Sequence, residues 1–503
     1  MNTSTPTKPS LNAVSRRPNV LILMTDQQRG QTLHPDSPCI TPNLDRLIAR
    51  GARFPRAYTT NAVCSPARAS LMTGLLPHNH GVLTVTHCVD EDQSVLRTEH
   101  PHFAQRLQQA GYHTGLFGKW HVERTNKLED FGWNVNGVTG GSLWKEAGKR
   151  LEAQAAAKGQ YKEGFDPVCW MDNPKGYKRG LLYGVDDRPD ELHMATHASE
   201  MGMDFIRDAA TGDHADQPWC CFVSVIEPHD PFQCSRWAYD QYDVNALELP
   251  ANAQDNLADK PGLYRKAARI FAHLTERQRK EALACYYALM TDVDKQFGRV
   301  LDLLEETGQL ENTIVVHTSD HGEHCGAHGL YMKNIGAFEE TYHIPMVFAG
   351  PGVAEGQVSS ARVGLHDVAP TLCELAGAEP IVNSDSRSFA AVVRDPARPH
   401  ADDDWQTGYA EFEGTRYHFT QRICWDGDLK FVWNGFDEDE LYDLAADPGE
   451  MINLIADPAH REDAQHMMNL AWDYAAKTGN HTLINTNYPI LRHAIVGPGD
   501  RKV

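Results

Sequence analysis

The sequence contains no long apolar segment. None of its runs reaches the roughly 18 consecutive apolar residues that a membrane-spanning helix needs, and the run Val20–Met24 after Arg16 and Arg17 is too short for the core of an export signal. Residues 1–17 are rich in Ser, Thr, Pro and Asn. We therefore predict a disordered segment over residues 1–17, no secretory signal and no membrane partner.

Positive charge and paired cysteines are also scarce. The chain has 47 Lys and Arg against 68 Asp and Glu, a formal net charge of −21, which opposes binding to nucleic acid or to an anionic membrane. A local cluster of cations can still bind an anionic substrate, because salt screens distant charges over roughly 8–10 Å. The 11 cysteines are an odd number without paired spacing, which is typical of a reducing compartment. We expect a cytoplasmic protein without a nucleic-acid partner. The sequence leaves the oligomeric state open and is compatible with a homo-oligomer.

Buried strands alternate with helices over most of the 503 residues. Apolar runs that turn polar abruptly are typical of strands buried on both faces of a parallel sheet. Such runs begin at Asn19, Trp219, Thr313 and Ile344. This pattern predicts an α/β fold with a doubly wound, mostly parallel sheet over residues 18–380.

The C-terminal part has a different pattern. Residues 414–442 indicate antiparallel strands with turns at Asp426–Asp428 and Asn434–Gly435, and an amphipathic helix follows over residues 458–477. Because the chain is longer than one ordinary core accommodates, we predict a smaller α+β subdomain over residues 381–503.

The segment 123–203 has poor periodicity and many Gly, Lys and aromatic residues. We predict excursion and loop structure over the functional site. Loops of this length in compact domains are usually functional, so substrate preference would be decided here.

The sequence predicts a short helix after Val63 that carries two candidate reactive side chains, Cys64 and Arg68. Its sequence places Ser65 to cap it, Pro66 in its first turn and Gly74 just past its end. Cys64 then lies at a helix N-terminus, where free N–H groups and the helix dipole lower the pKa of a thiol. Arg68, one turn later, can donate a forked pair of hydrogen bonds to a tetrahedral oxyanion. The alternative is a buried structural cysteine beside a surface arginine.

Two buried strands end in an acid, at Asp26-Gln27 and at Asp320-His321. The carboxyl ends of parallel strands meet at the edge where such sheets bind ligands. Lone strand-end aspartates often only cap helices, but two of them beside Cys64 suggest an oxygen-rich divalent metal site.

Further polar residues follow other strands towards the same edge. They are Lys119, His121, His229 and Lys333. Each alone is more often a surface or core residue than a catalytic one. His78 and His80 are candidates for lining the pocket, an assignment that the sequence leaves open. His324, Cys325 and His328 lack the complementary pair that a zinc cluster needs.

The run Cys64-Ser65-Pro66-Ala67-Arg68, followed by Ala-Ser-Leu-Met-Thr-Gly, resembles the signature of the type I sulfatases, which have an alkaline phosphatase-like fold. The resemblance extends from about residue 19 to about residue 453. It implies that a formylglycine-generating enzyme oxidises Cys64 to Cα-formylglycine.

The resemblance also implies one divalent metal ion, Ca²⁺, Mn²⁺ or Mg²⁺. Its ligands would be Asp26, Gln27, Asp320, His321 and the formylglycine oxygen at position 64. Many sulfatases carry Asp-Asp and Asp-Asn at these motifs. Gln27 and His321 instead look like the branch that holds choline sulfatases and phosphonate monoester and phosphodiester hydrolases.

The roles that the resemblance implies follow the chemistry of a sulfate ester. Arg68 and the metal lower the pKa of the attacking hydroxyl group. Lys119 and Lys333 hold the sulfuryl oxygens, His229 protonates the leaving alcohol, and His121 takes the proton whose loss releases sulfate.

We therefore expect a sulfatase that hydrolyses a sulfate monoester to an alcohol and inorganic sulfate. A phosphonate monoester or phosphodiester hydrolase using the same site is the alternative. A third hypothesis is an inactive metal- or anion-binding protein whose Cys64 is never oxidised. The alcohol is left open, because segment 123–203 is compatible with an aryl, alkyl, choline-like or sugar sulfate.

Overall fold

The computed structural model describes residues 17–333, 335–383, 385–400, 404–415, 417–484 and 493–502. The predicted disordered segment 1–17 therefore lies, except for Arg17, outside the described residues. The strands are β1 Asn19–Thr25, β2 Gly51–Arg53, β3 Arg56–Tyr58, β4 His113–Gly118, β5 Val135–Val138, β6 Val168–Trp170, β7 Leu181–Asp186, β8 Trp219–Ser224, β9 Phe232–Ser235, β10 Thr313–Ser319, β11 Met346–Ala349, β12 Gln357–Val358, β13 Arg362–Gly364, β14 Thr407–Phe412, β15 Gln421–Asp426, β16 Leu429–Asn434 and β17 Glu440–Asp443.

Helices occur along the whole described chain. They are α1 Pro42–Ala49, α2 Cys64–Thr73, α3 Pro77–His80, α4 Phe103–Gln109, α5 Ser142–Ala157, α6 Met194–Thr211, α7 Arg236–Tyr239, α8 Gly262–Ala268, α9 Glu276–Glu306, α10 Glu339–Tyr342, α11 Val368–Leu375, α12 Ala390–Arg394, α13 Arg461–Lys477 and α14 His481–Ile484. The described helices include none with the length and apolar character to cross a bilayer.

A large mixed sheet with the order β12-β2-β11-β10-β1-β8-β4-β5 forms the centre of the fold. Strand β1 pairs in parallel with both β10 and β8, and β4 extends the parallel set from β8 to β5. Strand β11 is antiparallel to both of its neighbours. The predicted α/β fold with a mostly parallel sheet is confirmed, and the exception is the run near Ile344, whose direction the sequence pattern does not specify.

The apolar run of β1 packs against two cores. Leu21 and Leu23 belong to the core on one face of the sheet, while Val20 and Ile22 belong to the core on the other face. Side chains alternate across a strand, so a run without polar residues requires cover on both sides. Helix α9 supplies part of that cover and begins after a Thr275 cap, whose side chain accepts a hydrogen bond from the backbone of Gln278.

The prediction of loop structure over residues 123–203 is wrong in part. Helix α5 lies within this segment and α6 begins in it. The buried positions of α5 are Ala147, Gly148, Leu151 and Ala155. Small residues give a weak apolar signal, so the helical period was hidden in a segment rich in polar residues.

A four-stranded antiparallel sheet, β14-β15-β16-β17, lies in the C-terminal part. It begins at Thr407, somewhat before the predicted range, and α13 contacts it through Met467, Met468 and Trp472. The predicted smaller α+β element is therefore present, and the boundary at residues 380/381 stays a prediction.

Candidate active site

Four strands of the central sheet end at the same level. The register pairs Thr25 of β1 with Ser319 of β10, and Ser224 of β8 pairs with both Met24 and Gly118. The residues that follow these strands are therefore brought to one edge, as predicted for a parallel sheet.

Helix α2 brings Cys64 to that edge. Cys64 is the first residue of the helix and Val63 is its N-cap, so the predicted cap at Ser65 is wrong. Ser65 is buried in the first turn, and its hydroxyl accepts a hydrogen bond from the backbone of Thr86 at 3.4 Å. Gly74 ends the helix in the left-handed region, with a φ of 73°, as predicted.

The Cys64 side chain lies between an imidazole and a carboxylate. Its Sγ is 3.3 Å from Nε2 of His321 and 3.7 Å from Oδ1 of Asp26. Burial and the Asp26 carboxylate raise the pKa of Cys64. The neighbouring cations Lys119, Lys333 and His321 outweigh both and hold the pKa well below its usual range. The structure therefore favours an anionic oxygen or sulfur at position 64.

Arg68 spans the two strand-end aspartates. Its Nη2 donates to Oδ2 of Asp26 at 2.9 Å, and its Nε donates to Oδ2 of Asp320 at 2.8 Å. Its Nη1 donates to the Ser224 hydroxyl at 2.8 Å and to the backbone oxygen of Lys119 at 3.1 Å. The side chain is 1% exposed. The forked donors predicted for a substrate oxyanion are thus used to orient two carboxylates.

Asp26 and Asp320 each have a second carboxylate oxygen that Arg68 does not contact and that can bind a cation. One ligand atom each from Asp26, Cys64, Asp320 and His321 lie within 4.8 Å of one another. His321 Nδ1 donates to the backbone oxygen of Gly322 at 2.9 Å, so Nε2 is the nitrogen that faces the carboxylates. Once Nε2 gives up its proton, two carboxylates and an imidazole lone pair face one another and repel each other unless a cation lies between them. This donor set therefore fits one divalent metal ion.

Gln27 is held from several sides. Its backbone N–H donates to Oδ1 of Asp320 at 3.1 Å, its Nε2 donates to Oδ1 of Asp230 at 3.0 Å and to Glu323, and its Oε1 accepts from Lys333. The amide oxygen thus already has one partner. A second lone pair of that oxygen is available for a cation, and metal ligation by Gln27 stays a prediction.

Three predicted site residues, Lys119, Lys333 and His229, meet at the mouth of this cluster. Lys119 Nζ donates to Oδ2 of Asp26 at 2.5 Å. Lys333 Nζ contacts Nε2 of His229, whose Nδ1 donates to the backbone oxygen of Asp230 at 2.6 Å. Burial by itself lowers the pKa of Lys333, but the surrounding anionic groups raise it by a larger amount. The net effect is a raised pKa, so the ammonium stays charged.

His121 also interacts with Cys64. Its backbone is in the left-handed region with a φ of 57°, and its Nε2 is 3.0 Å from Nδ1 of His87. Burial lowers the pKa of His121 to about 4, while the interaction with Cys64 raises it. All residues predicted for the site are therefore brought together around position 64.

His78 and His80 belong to other networks. The Nε2 of His80 lies 3.0 Å from the Ser70 hydroxyl, and burial lowers its pKa to about 3. His78 pairs with the buried Glu411 at 2.8 Å. The assignment that the sequence left open is therefore answered by these partners: His80 packs against α2 and His78 against the C-terminal sheet.

The sequence patterns missed several residues around the site. Asp230, Ser224 and Glu323 contact predicted site residues, and each lies within four residues of another member of the site or at the end of its strand. Proximity to a motif was the available signal. His87 lacked even that, because it is 34 residues from His121 in sequence.

Comparison with known proteins gives a consistent assignment. The family described as Sulfatase matches residues 18–378, and the family described as N-sulphoglucosamine sulphohydrolase, C-terminal, matches residues 326–476. The chain is 31% identical over 480 residues to the uncharacterized sulfatase YidJ of Escherichia coli K12, an alignment that covers 92% of this chain and 88% of YidJ. It is 28% identical over 489 residues to the choline-sulfatase of Rhizobium meliloti, with 88% and 83% of the two chains covered.

Structural comparison agrees on the fold. The phosphonate monoester hydrolase of Silicibacter pomeroyi has a TM-score of 0.73 at 24% identity, with 93% of this chain and 96% of that chain covered. The prediction of an alkaline phosphatase-like fold is confirmed. From the family match and these relatives together, this chain belongs to the sulfatase family of the alkaline phosphatase-like superfamily and is a sulfuric ester hydrolase.

Proposed function

We propose that this chain hydrolyses a sulfate monoester to an alcohol and inorganic sulfate, with Cys64 converted to Cα-formylglycine and one divalent cation held beside it. The observation that carries the proposal is the meeting of Cys64 with Asp26, Asp320 and His321 at the start of α2. When present, the hydrated formylglycine supplies the nucleophile and the cation supplies Lewis acidity. A formylglycine-generating enzyme is the maturation partner that the proposal requires.

The lysines around position 64 match the charge of the substrate. Lys119 and Lys333 bind sulfuryl oxygens and stabilise the charge that redistributes in the transition state. Arg68 holds Asp26 and Asp320 in the orientation that leaves their other oxygens for the cation. The site thus places its cations locally, although the chain as a whole carries a net charge of −21.

Two histidines handle protons in this proposal. The contact between Lys333 Nζ and His229 Nε2 shares one proton, and we assign this proton to the leaving alcohol oxygen. His121 accepts a proton at Nδ1, because its Nε2 faces His87. General acid and general base are then separate side chains and do not compete for one proton.

A phosphonate monoester or phosphodiester hydrolase is the second candidate. It is supported by Gln27 and His321 and by the structural similarity to a phosphonate monoester hydrolase. Sulfate and phosphonate esters both present the oxygens of a tetrahedral centre, so one metal and several cations can serve either transition state. Because Lys119 and His121 fit the roles proposed above for a sulfate ester, sulfate hydrolysis remains the function that we propose first.

Finer points of this proposal concern the metal, the substrate and the cell. Oxygen and imidazole ligands suit Ca²⁺, Mn²⁺ or Mg²⁺. The alcohol is of the aryl, alkyl, choline-like or sugar class, and one of the relatives is named a choline-sulfatase. Cytoplasmic location and a homo-oligomer stay predictions.

The test begins with mass spectrometry of the tryptic peptide Ala57–Arg68. Protein co-expressed with a formylglycine-generating enzyme should yield a peptide about 18 Da lighter than the thiol form. Sulfate ester, phosphonate monoester and phosphodiester panels then follow, with C64A as the inactive control. A folded protein that keeps the Cys64 thiol and lacks sulfatase activity under these conditions would overturn the proposal.

A further inference from the structure

We propose that His87 is a positioning residue for His121, and that the hydrogen bond between the two rings fixes the tautomer of His121 with its Nδ1 lone pair facing position 64. The inference rests on the proposed function, in which His121 accepts a proton at Nδ1.

The two imidazole rings form a close pair. Nδ1 of His87 is 3.0 Å from Nε2 of His121, and the ring centroids are 4.5 Å apart with planes inclined by 31°. His87 lies in the short turn Thr86–Cys88, and the backbone of Thr86 donates to the hydroxyl of Ser65 in the first turn of α2. The turn that carries His87 is therefore attached to the helix that carries Cys64.

The other nitrogen of His121 is left for the reaction. Within the described chain, Nδ1 of His121 is buried and has no hydrogen-bond partner, and Cys64 is the side chain that interacts with the ring from the site. The backbone of His121 adopts a φ of 57°, a conformation that non-glycine residues rarely adopt and that surrounding structure must maintain. With Nε2 held by His87, Nδ1 is the ring nitrogen left to interact with position 64.

The tautomer follows from the number of protons. A neutral imidazole carries one N–H. If Nε2 of His121 carries it and donates to Nδ1 of His87, then Nδ1 of His121 keeps its lone pair and can accept a proton. A carboxylate usually orients a catalytic histidine in this way, and here Nδ1 of the exposed His87 takes the place of the carboxylate oxygen as acceptor.

Two substitutions at position 87 distinguish the effect of the hydrogen bond from the effect of the aromatic ring. H87N places an amide oxygen close to the position of Nδ1 and keeps the acceptor, whereas H87F keeps an aromatic ring and lacks it. Because His87 is exposed, we expect both variants to fold, and their thermal unfolding midpoints serve as a check. We expect H87F to lose about 10- to 100-fold in kcat, as is typical when a histidine loses its orienting partner, with KM changed by less than about threefold. H87N should recover most of that loss.

The second measurement does not need turnover. Nitrogen NMR of ¹⁵N-histidine-labelled protein in the unmodified thiol form, with His121 assigned by comparison with H121N, reports which nitrogen carries the proton. We expect the Nε2–H tautomer in the native protein and in H87N, and a mixture or the Nδ1–H tautomer in H87F. An unchanged tautomer in H87F would overturn the inference even if kcat fell. Should the native protein prove inactive on every ester, the proposed function fails while the NMR result still decides the role of His87.

Discussion

Glu323 accepts a hydrogen bond from the side-chain amide of Gln27, and this contact, together with those to Asp230 and Lys333, fixes which way the amide faces. Glu323 is fully buried, and its second oxygen accepts from the backbone N–H groups of Cys325 and Met332. The carboxylate thus ties the loop after β10 to the residue after β1. With Nε2 of Gln27 directed at Glu323, Oε1 is directed at Lys333 and at the remaining space of the site.

The first prediction concerns E323Q. A glutamine can still accept from the two backbone N–H groups, but its own NH₂ opposes Nε2 of Gln27. We expect affinity for the divalent cation to fall about 10- to 100-fold, as is typical for a lost partner of a metal ligand, with little change in unfolding temperature. Calorimetric metal titration measures the affinity, and E305Q, at an exposed position of α9, is the control. Equal affinities in the two variants would show that Glu323 does not position Gln27.

The strand-end residues of the site could be predicted from sequence. Asp26 and Asp320 each follow a buried apolar run, and such runs in a parallel sheet end at one edge, so their meeting follows from the fold class alone. Cys64 and Arg68 share one helix, which fixes their spacing. The positions of these residues could be predicted because they follow from local sequence patterns and from one rule of sheet topology.

Contacts between irregular segments could not be predicted. His87 and His121 meet because two loops cross, and His78 and Glu411 are 333 residues apart. The hydrophobic periodicity of a sequence carries no information on which loops pack against each other. The sequence left the placement of His78 and His80 open for the same reason, since their partners lie in the C-terminal sheet and inside α2.

The second prediction concerns R68K. A lysine keeps the charge but cannot bond Asp26 and Asp320 together as Arg68 does. Leaving a buried carboxylate without its hydrogen-bonded partner costs roughly 1–3 kcal/mol, and a bound cation offsets part of that cost. We expect R68K to unfold at a clearly lower temperature without metal and to regain more than the native protein when metal is added.

Differential scanning fluorimetry with and without divalent cation measures this effect. The matched control is R46K, because Arg46 pairs with Asp302 on the surface at 2.6 Å with both side chains largely exposed. Exposed pairs contribute at most about 1 kcal/mol. If R68K and R46K were equally stable and responded equally to metal, the bridging role of Arg68 would be refuted.

The third prediction concerns metal removal. A chelator should lower the unfolding temperature, and adding back a cation at 100 times its Kd should restore about 2.7 kcal/mol of stability. Comparing Ca²⁺, Mn²⁺ and Mg²⁺ identifies the preferred ion. D320N should lose most of the response, whereas D36N, at an exposed side chain, should keep it. The same stabilisation in D320N as in the native protein would place the cation elsewhere.

The fourth prediction starts from the charge on Glu411, which is buried in β14. Burial raises the pKa of Glu411, but Arg422 and His78 outweigh burial and lower it to about 2. A depressed carboxyl pKa contributes stability above the unfolded value of about 4.5, and this contribution is lost as the pH falls towards 2. The shift corresponds to about 3 kcal/mol. The pKa of His78 is raised, since the opposing effect of burial is outweighed by Glu411, so its contribution is present below about 6.5 and lost as the pH rises through the raised value.

E411Q should therefore be least stable, relative to the native protein, between about pH 4.5 and 6.5. Below pH 4.5 the difference should shrink, because the native protein loses the charge that the variant never had; at high pH it should also shrink, because His78 becomes neutral. Urea unfolding at pH 3, 5.5 and 8 measures the difference, and E355Q, at an exposed glutamate, should show none. A destabilisation of E411Q that stays constant across these three pH values would assign the role of Glu411 to packing and not to its charge, because only a charge interaction titrates in this window.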